Sequence, residues 1–125
     1  MVLEVKNISK SYGKLKVLKE VSFDLKRGEY AAIIGKKGVG KKTLLNILIG
    51  LILPDNGLVK YFGKSFTDNI TSILYKIGIV FQQHTLDFDL SVNKNLIFYA
   101  DIHGMSKAKS RQKIDDLLTR FKLND

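Results

Sequence analysis

The 125-residue sequence contains no cysteine, and that absence closes two routes at once. No disulfide framework can staple the core, and no thiolate can hold zinc. No apolar run reaches the ~18 residues of a membrane-spanning helix. The first residues, Met1-Val-Leu-Glu-Val-Lys6, lack the basic-then-apolar layout of a secretory signal. A soluble, cytoplasmic chain in a reducing compartment is therefore expected. Internal repeats and low-complexity linkers are missing as well. Acidic residues are scarce beside basic ones: 12 Asp and Glu stand against 21 Lys and Arg, a formal charge of +9. Anionic partners follow from that balance: a nucleotide, a nucleic acid or an anionic membrane face. The lysines are spread along the chain rather than gathered, so much of the charge reads as a solvated basic surface. A basic sheet interleaved with aromatics is not seen, and no specific nucleic acid is expected.

What is present suits one domain or less. Apolar residues make up 45% and charged residues 26%, an ordinary globular composition. A chain of this size buries roughly two thirds of its unfolded surface, enough for a core. Leu3, Val5 and Ile8 read as a short strand, and Ser9–Gly13 as a turn. From Val17 to Leu25 the residues alternate, with Val21, Phe23 and Leu25 on one face and Ser22 and Asp24 on the other. That is the pattern of a half-buried antiparallel strand. Residues 30–34 and 77–81 are nearly continuous apolar runs, as strands covered on both faces would be. A further strand is expected at residues 58–62. Between them lies a helix with Leu44, Ile47 or Leu48, and Leu51 at helical spacing, closed by Pro54-Asp-Asn-Gly57. Asp68 is placed to cap a short helix running to Tyr75. Ser91 is placed to cap a helix to about His103, with Val92, Leu96, Tyr99 and Ala100 on one face. Ser106 opens a last helix, basic in its first half, with Ile114, Leu117, Leu118 and Phe121 as its stripe. The chain divides into a mixed α/β part over residues 1–83 and a helical part over 84–125. His84 and His103 have no partner spacing for a metal or a catalytic pair and read as surface residues.

The most informative stretch is Gly35-Lys-Lys-Gly-Val-Gly-Lys-Lys-Thr43, set between the apolar run 30–34 and the helix. The spacing Gly35-x-x-x-x-Gly40-Lys41 fits a phosphate-binding loop. Glycines let backbone N–H groups converge on one concavity, and the next helix adds its N-terminal donors and positive dipole end. Lys41 supplies a full charge to the terminal phosphates. The dinucleotide fingerprint G-x-G-x-x-G fails, because Gly38 and Gly40 are followed by Thr43. One position departs from the phosphate-loop pattern. Lys42 stands where a Ser or Thr hydroxyl would ligate magnesium, and an ammonium cannot ligate a cation. Thr43 comes one residue too late to replace it. Weakened Mg²⁺ dependence is expected, with the Lys42 ammonium supplying part of the metal's charge.

Taken in order, these features resemble the nucleotide-binding domain of ABC transporters. "LEVKNISKSYGKLKVLKEVSFDLKRGEYAAIIG" looks like the family's opening antiparallel strands and P-loop strand. Gly35, Lys36, Lys37, Gly38, Val39, Gly40, Lys41, Lys42 and Thr43 match Walker A, with Lys36 and Lys37 in place of the usual Pro and Asn. "LPDNGLVKYFGK" is similar to the turn and strand that follow, "IGIVFQQ" to the strand ending in the Q-loop, and "LSVNKNLIFYADIHGMSK" to the start of the helical subdomain.

The resemblance implies an α/β, P-loop NTPase-type fold: N-terminal antiparallel strands, an ABC ATPase core and the start of a helical subdomain. It places Tyr12 where the family stacks an aromatic on adenine. It gives Gln82 the Q-loop role, touching the metal or the attacking water and sensing the membrane domain. The implied ligands are ATP and Mg²⁺, the latter in question because of Lys42. The implied partners are a second nucleotide-binding domain, head to tail, and a transmembrane permease at the inner face of the cell membrane. No LSGGQ-like signature, Walker B carboxylates or switch histidine follow within these residues. In the family the Walker B strand and the next lie between the P-loop and Q-loop strands. Runs 30–34 and 77–81 are therefore expected to lack central neighbours, to be supplied by a missing C-terminal half or another chain. The chain alone is not expected to hydrolyse ATP.

Overall fold

The computed structural model describes residues 1–83 and 85–123. They form two compact units, Met1–Gly78 and Ile79–Asp125. The division read from the sequence falls near residue 83.

The first unit is built on an antiparallel hairpin, β1 (Leu3–Tyr12) and β2 (Leu15–Leu25). Strand β3 (Asn56–Tyr61) pairs with the other edge of β1, and the short β4 (Lys64–Ser65) follows, giving the order β2-β1-β3-β4. Strand β1 runs four residues further than the sequence suggests, through Ser9–Tyr12, and the turn shrinks to Gly13-Lys14. The reason lies across the ladder. Where the register slips, serine hydroxyls fill in for main-chain partners. Ser22 Oγ accepts from the Asn7 N–H at 2.8 Å, and Ser9 Oγ accepts from the Glu20 N–H at 3.0 Å. Asn7 and Glu20 both adopt positive φ at these bulges.

The inner face of the sheet carries Leu3, Val5, Ile8, Leu18, Val59 and Tyr61. Helix α1 (Lys41–Leu48) lays Leu44, Ile47 and Leu48 on it. Phe66, and Ile73 from α2 (Ile70–Leu74), close the cluster. Each such apolar side chain contributes about 1.5–3 kcal/mol on burial. Helix α1 ends in a Schellman motif. The Leu51 N–H reaches Asn46 O at 2.8 Å and the Gly50 N–H reaches Ile47 O at 3.1 Å, with Gly50 at φ +79°. Leu51 therefore leaves the helix and is exposed, not part of its stripe. The N-cap position of α2 falls to Asn69 rather than Asp68, and the Asn69 amide donates to Ser65 O at 3.0 Å.

Neither 30–34 nor 77–81 forms a strand. A strand is a statement about neighbours, because its N–H and C=O groups must be met from the side. No ladder meets these segments among the described residues. Tyr30 and Val80 are fully exposed, at 102% and 99%.

The second unit is a helical hairpin of α3 (Val92–Ile102) and α4 (Lys107–Phe121). Both caps follow the sequence: Ser91 Oγ accepts from the Lys94 N–H at 3.3 Å, and Ser106 Oγ from the Lys109 N–H at 3.5 Å. Gly104, at φ +65°, ends α3. The buried seam is narrower than the expected stripes. Ala100 and Ile114 are buried, Leu96, Tyr99 and Leu118 are half-buried, and Val92, Leu117 and Phe121 are exposed. Asn95, three residues on from Val92 and so on the same helical face, is buried as well. Its amide donates to Asp87 O, Leu90 O and Ser91 O at 2.8, 3.2 and 3.2 Å and accepts from the Asp87 N–H at 2.9 Å. One side chain thus folds the 87–91 loop onto the start of the helix.

Candidate nucleotide-phosphate site

Residues 35–40 form a tight loop running into α1, whose first turn is Lys41–Thr43. Gly38 and Gly40 sit at φ +83° and +105°, a region L side chains rarely adopt. Gly40 is buried and occupies the N-cap position, with no side-chain cap bond. A Cβ there would meet Val17 Cγ1 at 2.8 Å, Leu18 Cδ2 at 3.1 Å and Val17 O at 3.1 Å. The loop's helix side is thus seated directly on β2. Its other side is closed by short contacts. A Cβ on Gly35 would stand 2.7 Å from Val39 Cγ1, and the Val39 N–H reaches Lys36 O at 3.4 Å.

Lys41 is half-buried and folds back over the loop. Its ammonium donates to Gly35 O and to Lys36 O, both at 2.6 Å. A lysine has three N–H donors, so one remains for a ligand. The first intrahelical bond runs from the Leu44 N–H to Gly40 O at 2.9 Å. The N–H groups of Lys41, Lys42 and Thr43 have no intrahelical acceptor to reach. Main-chain donors, a helix dipole and an ammonium therefore converge on one span, which is the chemistry of an anion cradle. Lys36, Lys37, Val39 and Lys42 are exposed, and Thr43 is half-buried.

Tyr12 ends β1 opposite Leu15, at the hairpin end near Val17, the residue that supports Gly40. Its ring is about half exposed, with the Lys10 ammonium 5.8 Å from the centroid. Gln82 is exposed and belongs to the second unit. His103 is exposed at the C-cap of α3, and His84 lies outside the described residues. The sequence reading missed Val17 and Leu18, which hold the loop from below. Their signal is the glycine at position 40, which admits no side chain.

Magnesium finds a poor donor set here. Lys42 offers no lone pair, and α1 has no acidic residue in its first turn. Among the described residues no group of three or more His, Cys, Asp or Glu could hold a metal ion.

The sheet, the glycine loop and the helix after it define an α/β fold of the P-loop NTPase type. The family model described as ABC transporter matches residues 18–125. The sulfate/thiosulfate import ATP-binding protein CysA of Anthoceros angustus is 36% identical over 125 residues, covering 100% of this chain and 32% of that protein. The linearmycin resistance ATP-binding protein LnrL of Bacillus subtilis is 32% identical over 117 residues, covering 94% of this chain and 38% of that protein. A solved ATP binding subunit of an ABC transporter superposes with a TM-score of 0.84 at 31% identity, over 98% of this chain and 51% of that one. An ATP-binding cassette solved as a dimer in a post-hydrolysis state, bound to ADP and Pi, gives 0.76 at 32% identity, over 94% and 56%. The chain belongs to the ABC transporter family, as its motif order implies. It spans about a third of those two curated relatives and about half of the solved chains.

Proposed function

We propose that these residues supply the phosphate cradle of an ATP-binding domain that drives membrane transport. The loop Gly35–Thr43 takes the phosphate chain, Lys41 meets its terminal phosphates, and Tyr12 stacks on adenine. Residues 1–83 act as part of the ATPase core and 84–125 as the beginning of the helical subdomain. Gln82, an amide that can donate and accept without adding charge, serves the attacking water or a metal. The whole domain pairs head to tail with a second nucleotide-binding domain and works against a permease, peripheral to the inner membrane face. No described helix is long and apolar enough to cross a membrane. The solved dimer of a relative supports the pairing, and the import proteins among the relatives support the coupling to transport.

Hydrolysis needs more than a cradle, because the nucleophile must be positioned and the developing charge neutralised. The loop holds no carboxylate for the first task, and Lys42 takes the place of a metal ligand. Lys42 thus favours a second reading, a nucleotide binder that does not hydrolyse.

The observation that carries the proposal is the left-handed Gly38 and Gly40 leading into α1 with Lys41 folded over the loop. Calorimetric titration of the chain with ATP tests it. Lys41→Ala is expected to weaken binding by roughly tenfold to a hundredfold, the worth of one charge-assisted hydrogen bond. An unchanged affinity would remove Lys41 from the site.

A further inference from the structure

We propose that the Gly35–Thr43 loop binds its polyphosphate without a divalent metal and prefers the uncomplexed polyphosphate to its magnesium complex. This rests on the nucleotide-phosphate reading above and names the charge state of its ligand.

Two independent observations carry it. The first is what the loop cannot do. From Tyr30 to Pro54 there is no Asp or Glu at all. The one position that would offer a hydroxyl to a metal offers the Lys42 ammonium, which repels a cation and has no lone pair to give. The second is what the loop does hold. Lys36, Lys37, Lys41 and Lys42 place four ammonium groups within seven residues, with no acid in the stretch to neutralise them. Lys36, Lys37 and Lys42 are exposed and make no side-chain hydrogen bond or ion pair among the described residues. Their charge is therefore available to a ligand. Lys41 alone is committed, through the carbonyls of Gly35 and Lys36.

An uncomplexed triphosphate carries roughly two more negative charges than its magnesium complex, so a loop rich in ammonium groups gains more from it. A metal bound to the ligand would bring its charge towards these same ammonium groups. The loop thus replaces one bound cation by fixed side-chain charge. Its ammonium groups act as point charges, which suits the flexible oxygens of a phosphate chain.

The test is calorimetric titration of the chain at matched ionic strength with three probes: ATP in chelator, ATP in excess Mg²⁺, and tripolyphosphate in chelator. ATP in chelator is expected to bind about tenfold or more tightly than ATP with Mg²⁺, the worth of one hydrogen bond to a charged group. Lys42→Thr, which restores the hydroxyl, is expected to reverse that order. Lys42→Gln, which removes the charge without adding a metal ligand, is expected to lose the preference for chelator. Circular dichroism melts of the three proteins separate a folding defect from a binding one. Equal or tighter binding with Mg²⁺ in the unsubstituted chain overturns the proposal and leaves the ATP reading intact. Tripolyphosphate binding as tightly as ATP supports the metal-free cradle and removes the adenine contact. No binding of any probe overturns both.

Discussion

The two left-handed glycines of the loop make a controlled comparison, because they share a conformation and differ in what surrounds them. Gly38→Ala puts a methyl group into open space, with no heavy atom within 4 Å, at φ +83°. Its cost is torsional, about 1–2 kcal/mol for a Cβ in the left-handed region. Gly40→Ala, at φ +105°, carries that cost and adds a collision. The methyl carbon would stand 2.8 Å from Val17 Cγ1 and 3.1 Å from Val17 O, and the second of these is backbone that cannot rotate away. Forcing a group into a packed position costs about 1–3 kcal/mol more. Gly40→Ala should therefore lose about 2–5 kcal/mol, a large fraction of a domain's typical 5–15 kcal/mol. Urea denaturation followed by far-ultraviolet circular dichroism reads the difference as a lower midpoint for Gly40→Ala than for Gly38→Ala. Gly38→Ala should show its effect mainly in ATP affinity, since its backbone shapes the cradle without supporting the core. Equal midpoints for the two variants would mean that the loop does not rest on β2, and the account of how it is held would be wrong.

Three further outcomes follow from the packing. Tyr61→Phe removes the hydroxyl that donates to Leu48 O at 3.0 Å and should cost about 1 kcal/mol at neutral pH by urea denaturation. Burial raises the Tyr61 pKa, so that side chain's contribution is full below the unfolded value of about 10 and falls as pH rises towards the folded one, a decline the Phe variant should lack. Asp55 binds the Lys10 ammonium at 2.8 Å and the Ser11 N–H at 2.7 Å, and these hold its carboxyl below the usual range, Lys10 first. A lowered pKa contributes stability that is present above the unfolded value of about 3.9 and is lost as pH falls through the folded one. Melting temperatures of the parent and Asp55→Asn should therefore differ at pH 7 and converge in acid. Asn95→Ala leaves the Asp87, Leu90 and Ser91 carbonyls without their shared donor and should cost about 1–3 kcal/mol, seen as faster amide exchange through residues 87–95.

Local chemistry was legible wherever the deciding partners lie close in sequence. The alternation of Val21, Phe23 and Leu25 names its own buried face, and Ser91 and Ser106 cap helices three residues away. The loop spacing marks the phosphate chemistry because glycine and lysine have few other reasons to recur in that order. What was not legible depends on distant groups. Ser9–Tyr12 reads as a turn because its residues give no sign that the Glu20 N–H meets the Ser9 hydroxyl or that the Asp55 carboxylate meets the Lys10 ammonium and the Ser11 N–H. Leu51 fits a helical period and still falls outside the helix, because Gly50 bends the chain before it. Asn95 draws no notice among its apolar neighbours, yet its amide bonds three carbonyls at once. Runs 30–34 and 77–81 are a different kind of case. Their composition describes strands with neighbours on both sides, and among the described residues those neighbours are not supplied.

The first of these runs bears on the loop itself. The segment entering it, 30–34, pairs with nothing described, while the segment leaving it is α1, packed on the sheet and seated on Val17 and Leu18 through Gly40. The cradle is therefore organised from its helix side. Its entry side is held by the Gly35–Val39 contact and by the two bonds from Lys41 to the Gly35 and Lys36 carbonyls. Lys41 closes the loop with the same ammonium that is to meet phosphate. Lys41→Ala then removes two things together, a ligand contact and a brace. Lys42→Gln removes a charge from an exposed side chain that braces nothing. A loss of affinity in Lys42→Gln is accordingly a cleaner measure of how much the loop's charge contributes to binding.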